Sequence, residues 1–139
     1  MIKLTIFTET FAHIMQLTTE KDSPLPSVND EKFHIWMNDG SEVSVIIEAS
    51  AQISAFIKQR GEFPFARTNL CLIRINQEED LANLKVMSKI ANPLIQENIE
   101  VESISSFDFD YLLIDKNHIE KFIKAVGSKF EIEKESIRK

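Results

Sequence analysis

The chain has 139 residues, 43% of them hydrophobic and 27% charged, with a formal net charge of −6. That length builds one compact unit or two very small ones, burying roughly two-thirds of the unfolded surface. The acidic balance provides no basic stripe for phosphate contacts, no apolar run approaches the roughly 20 residues of a membrane span, and one cysteine, Cys71, rules out an internal disulfide.

Ile2, Leu4 and Ile6 alternate with polar residues, which predicts a strand, and Phe11 to Leu17 predicts a second. Thr18 to Asp30 is polar, contains Pro24 and Pro26, and reads as a loop. Two further strands are expected at Phe33–Met37 and Val43–Ile47, joined by Asn38-Asp39-Gly40-Ser41. Asp-Gly between β-branched runs is a strong hairpin signal, because both residues tolerate positive φ. A helix follows from Ser50, apolar at Ile53, Phe56 and Ile57 and stopped by Gly61. Pro64 forces an extended entry into a strand over Ala66–Ile75, which closes one pattern and opens the next.

The second half repeats the theme. Leu81, Leu84, Met87, Ile90, Ala91, Leu94 and Ile95 form a helical stripe over residues 80–98, with Pro93 inside it and Asn98 as its stop. Strands at Val101–Phe107 and Tyr111–Ile114 flank the turn Asp108-Phe109-Asp110. A second stripe at Ile119, Phe122, Ile123 and Val126 ends at Gly127. Phe130 to Ile132 predicts a short edge strand, and residues 134–139 a frayed charged tail. The fold class is α+β: two ferredoxin-like βαββαβ units packed as one body, with antiparallel sheets and helices on one face. The expected division is 1–65, with a degenerate leading helix, and 66–139.

The chemistry is sparse. Glu78, Glu79 and Asp80 precede the long helix, where acids are stabilised by the exposed N–H groups. As a ligand site they would favour an ammonium or guanidinium group. Asp108 and Asp110 fit turn chemistry, and no loop gathers the oxygens of a calcium site. His13, His34 and His118 have no metal-ligand spacing, and Cys71 reads as core. Trp36 and His34 share one strand face; an exposed Trp36 there indicates a protein interface, a covered one a two-sided core. No nucleophile elbow, phosphate loop or dinucleotide fingerprint is present, so the expectation is no enzyme, no cofactor and no metal. With no basic n-region and apolar run at the start, the expected location is cytoplasmic.

Three segments carry a family resemblance. They are Met15-Gln16-Leu17 with the Pro24-Leu25-Pro26 loop, Glu42-Val43-Ser44-Val45-Ile46-Ile47, and Ile90-Ala91-Asn92-Pro93-Leu94 through Ser105-Ser106-Phe107-Asp108-Phe109-Asp110-Tyr111. In order and spacing they resemble the small bacterial proteins with two ACT domains, a group related to the CASTOR arginine sensor. Pro93, odd by helix rules, is what the family has there. The chain departs from the pattern in two places: residues 80–85 hold no glycine, and Phe109 stands where the family has Thr. The resemblance implies a paired-ACT regulatory protein that binds an amino acid or similar small molecule at a domain or subunit interface, as a homodimer. It implies that Asp110 holds the ligand's positive group while Ser44 and the Val45 backbone meet its carboxylate or amine. Asp108, Glu79 and Asp80 border the same site. The alternative is an interaction module without a ligand, to which the missing glycine points.

Overall fold

The computed structural model describes residues 2–17, 33–60, 66–76, 83–105 and 109–138, with Leu17, Arg60 and residues 83–85 described by backbone alone. The elements run β1 (Ile2–Phe7), β2 (Phe11–Leu17), β3 (His34–Asn38), β4 (Glu42–Glu48), α1 (Ala51–Arg60), β5 (Ala66–Asn76), α2 (Asn83–Gln96), β6 (Glu102–Ser105), β7 (Asp110–Asp115), a 3-10 turn (Lys116–His118), α3 (Ile119–Val126) and β8 (Phe130–Glu135). The architecture is α+β with a mixed sheet ordered β3-β4-β2-β5-β1-β8, with β7 beside β5 and β6 beside β7.

Two compact units make up the chain: an inserted unit, Glu9–Leu70 with Arg138, and a flanking unit that combines the leading segment through Thr8 with Cys71–Ile137. The leading strand, expected in the first division, groups with the C-terminal residues because its ladder partners are there. β1 pairs antiparallel with β5 (Lys3 opposite Asn76, Ile6 opposite Ile73) and parallel with β8 (Ile2 opposite Phe130, Phe7 opposite Glu135).

In the inserted unit, β4 is central, antiparallel to β2 (Ile14 opposite Val45) and to β3 (Trp36 opposite Val45). Ala12, Ile14, Val45 and Ile47 meet Ile53 and Ile57 of α1 in one core. The predicted hairpin forms. Gly40 takes φ 91°, a region that Gly enters without steric cost. The Asp39 carboxylate accepts from the Glu42 amide at 2.9 Å and from the Ser41 hydroxyl and amide at 2.8 and 2.9 Å, which pulls its pKa below the usual value. Gly61, Pro64 and the Thr18–Asp30 loop lie outside the described residues, except that Leu17 just before the loop ends β2.

In the flanking unit, both helices lie on one face of the strands. Leu4, Ile6, Cys71, Ile73, Ile75, Leu112, Ile114 and Phe130 meet Val86, Ile90 and Leu94 of α2 and Phe122 and Val126 of α3. Burying each large side chain of such a core stabilises the fold by about 1.5–3 kcal/mol. α2 continues through Pro93 and ends in a Schellman motif. There Asn98 is left-handed (φ 54°), its N–H donates to Ile95 O, and the Ile99 N–H donates to Leu94 O.

Three expectations need correction. Ile95 is not on the buried stripe but 71% exposed, and Val86 takes the inward position instead. The last strand runs to Glu135, because Lys134 and Glu135 pair with Ile6 and Phe7, so the tail is ordered well past residue 134. Arg138 beyond it binds Glu48 through two bonds, Nη2 to Oε1 at 2.6 Å and Nε to Oε2 at 3.2 Å.

Candidate functional site

β5 changes its facing pattern partway along. Against β2, Phe11 is opposite Leu70 and His13 opposite Arg67, so two steps on β2 match three on β5. One extra residue on β5 makes a β-bulge, and Asn69 within it adopts φ 56°. Asn tolerates the left-handed region better than other non-glycine residues, because its short polar side chain bonds locally. The bulge shifts the strand's alternation by one, from Ala66 against the α1 core to Cys71, Ile73 and Ile75 against the α2 and α3 core.

Beside this bulge the inserted unit has a cleft of about 520 Å³, lined by Thr10, Ala49, Ser54, Ile57, Lys58, Thr68 and Asn69. Three parts of the sequence build it. The Ala49 amide donates to Thr10 O at 2.8 Å, which ties the end of β4 to the start of β2. Ser50 caps α1, accepting from the Ile53 amide at 3.3 Å, and the helix then presents Ser54, Ile57 and Lys58 at i, i+3 and i+4. The β5 bulge adds Thr68 and Asn69. Among the described residues Lys58 is the one charged member of this lining; Glu48, just before Ala49, is engaged by Arg138. Hydroxyls, a carboxamide and an ammonium over an apolar floor suit a small polar molecule with an anionic group.

The second polar feature is on the helix-free face of the flanking unit. Arg74, Thr5 and Glu133 stand in one row across β5, β1 and β8. Arg74 Nε donates to Asn76 Oδ1 at 2.8 Å, Asn76 Nδ2 donates to Thr5 Oγ1 at 2.7 Å, and Thr5 Oγ1 donates to Glu133 Oε1 at 2.8 Å. Lys3 Nζ lies 3.2 Å from Glu133 Oε2. The Thr5 bond, then Lys3, holds the Glu133 carboxyl below its usual pKa. The Arg74 guanidinium carbon sits over the rings of Phe7 and Phe109, 5.4 and 4.8 Å from their centroids.

The sequence-derived site residues divide between the units. Ser44 is buried on β4, opposite Met15 and Met37, and Val45 is a core residue of the same central strand, in ladder register with partners on both sides. Asp110 begins β7 in the flanking unit, 8% exposed and opposite Ser105. Asp108, Glu79 and Asp80 lie outside the described residues. Among the described residues no three of His, Cys, Asp and Glu gather as a metal site. Burial raises the Cys71 thiol to about 11, as a core reading requires. Trp36 is 50% exposed, on the end strand β3. The Phe109 ring lies against the Arg74 guanidinium and meets Tyr111 edge-on at 6.4 Å. Sequence reasoning missed the cleft residues and Arg74; the polar Asn69 inside a strand run was the available signal.

Residues 67–127 match the family model of the ACT domain. No curated protein sequence matches the chain. Among solved structures the chain is similar to protein Atu0741 from Agrobacterium tumefaciens (17% identity, 96% of this chain and 93% of that one, TM-score 0.74). It is also similar to the regulatory subunit of aspartate kinase from Thermus thermophilus in its ligand-free form (11% identity, 92% and 97%, TM-score 0.57). A third likeness is to aspartate kinase from Clostridium acetobutylicum, described as allosteric (14% identity, 90% of this chain but 34% of that one, TM-score 0.65). At these identities the likeness is one of fold alone, the α+β fold that these aspartate kinase chains share with this one.

Proposed function

We propose that this chain is a non-catalytic regulatory module that binds a small carboxylate, most simply an amino acid, in the cleft of the inserted unit. The cleft itself carries the reading: Lys58 offers the carboxylate a cation, Ser54, Thr10 and Thr68 offer hydroxyls, Asn69 a carboxamide, and Ala49 with Ile57 an apolar floor. The ACT match over residues 67–127 and the fold shared with aspartate kinase regulatory subunits support a regulatory role. Binding in such a module acts by favouring one arrangement of a partner surface over another. A homodimer in the cytoplasm is the setting this reading assumes.

A thermal-shift screen against the twenty amino acids tests it. A ligand at about a hundredfold over its dissociation constant adds ~2.7 kcal/mol of stability. The shift should disappear in Lys58→Gln and persist in Arg138→Gln. A ligand whose shift survives Lys58→Gln would refute the cleft. No shift with any amino acid would favour the second reading, an interaction module without a ligand, for which the half-exposed Trp36 on β3 is the supporting observation.

A further inference from the structure

We infer that Arg74 is a second, independent recognition point: a fixed guanidinium clamp for a small-molecule carboxylate on the helix-free face of the flanking unit. Its orientation is built. Asn76 holds Nε at 2.8 Å, Thr5 holds Asn76 at 2.7 Å, and Thr5 is fully buried, so the chain of bonds that aims the guanidinium is anchored in the fold. Phe7 and Phe109 meet the guanidinium through their rings. Rings engage the flat face of a guanidinium and leave its in-plane N–H edge for acceptors. Among the described residues no acceptor is bonded to the two Nη groups, and Arg74 is only partly exposed.

The charges agree with an anionic ligand at this point. Glu133, the carboxylate in the same row, has one oxygen on Thr5 and the other on Lys3. Two cations, Lys3 and Arg74, thus act on one carboxylate among the described residues, and its oxygens are bonded to Thr5 and Lys3 rather than to Arg74. A carboxylate placed on the Nη edge makes the bidentate, charge-assisted pair that the planar fork favours over a point charge.

The test is a titration of the ¹⁵N-labelled full chain with sodium acetate and sodium benzoate at constant ionic strength, with sodium chloride as control, following the Arg74 Nε–Hε signal. The expected result is a saturable shift with either carboxylate; Arg74→Lys, which keeps charge but loses the fork and the Nε–Hε signal with it, is read on the backbone amides of Thr5 and Asn76, where binding should weaken about tenfold. Phe109→Leu should weaken it as well, with the backbone spectrum otherwise retained. Lys58→Gln should leave it unchanged, which separates this site from the cleft. An equal response to chloride, no saturable shift, or tighter binding of inorganic phosphate than of either carboxylate would overturn the assignment.

Discussion

Thr5→Val isolates the polar row in a nearly isosteric change. The valine fills the space of a fully buried threonine but accepts nothing from Asn76 and donates nothing to Glu133. The side chain of Glu133 is 37% exposed, so water replaces the lost donor and adds nothing to the figure. Asn76 is half-buried, and stranding its amide costs part of the ~1–3 kcal/mol expected for an unsatisfied buried group. A loss of about 1–2 kcal/mol is therefore expected. With an unfolding entropy of roughly 0.3 kcal/mol/K for a chain of this length, that lowers Tm by about 3–7 °C. Calorimetry measures it directly, and a double-mutant cycle with Asn76→Leu isolates the pair. Coupling of about 1 kcal/mol supports the reasoning, since removing both partners together is nearly neutral. A neutral or stabilising Thr5→Val, or zero coupling, refutes it.

Other outcomes are equally concrete. At Asn98, Gly should be neutral or slightly stabilising, while Val, forced into φ 54°, should cost about 1–2 kcal/mol in urea unfolding. Adding a Cβ at Gly127 places it 2.6 Å from Ile123 O, so Gly127→Ala should destabilise the end of α3, seen as faster amide exchange there. Cys71, its thiol raised to about 11 by burial, should resist iodoacetamide at pH 8 in the folded protein and react on unfolding. The Glu133 carboxyl is depressed below its ordinary 4.5, so its stabilisation is complete above that pH and disappears as pH falls through the folded-state value. Urea midpoints should therefore fall below about pH 4.5, less steeply in Glu133→Gln.

Local chemistry was legible and partner choice was not. The Asn38–Ser41 hairpin and the Asn98 stop follow from residues that bond to their own neighbours, so a short window contains the whole cause. The double role of Ala66–Ile75 was also readable, from its place between two repeated patterns. Periodicity says that Ile2, Leu4 and Ile6 bury one face, yet it cannot say that the neighbour is Phe130–Glu135. For the same reason Lys134 and Glu135 read as tail. Ile95 misled because it stands about 100° round the helix from Leu94, off the face that Val86, Ile90 and Leu94 bury. The cleft draws common surface residues from positions 10 to 69, with no shared spacing to betray them. Ser44, Val45 and Asp110 came from motif likeness, and nothing in the periodicity argued for them.

The β1–β8 ladder joins residues 128 positions apart, Ile2 with Phe130. On the ribosome, the first strand is made long before the last, while the ladders of the inserted unit are complete once Leu70 has emerged. Until β8 arrives, Ile2–Phe7 keeps one hydrogen-bonding edge open even after β5 has paired with the other, the kind of edge that seeks strands from other chains. Loop closure over such a span is slow. The yield of native protein should depend on how soon Phe130–Glu135 follows, and a chain stalled before β8 should be recognised by chaperones through Ile2–Phe7.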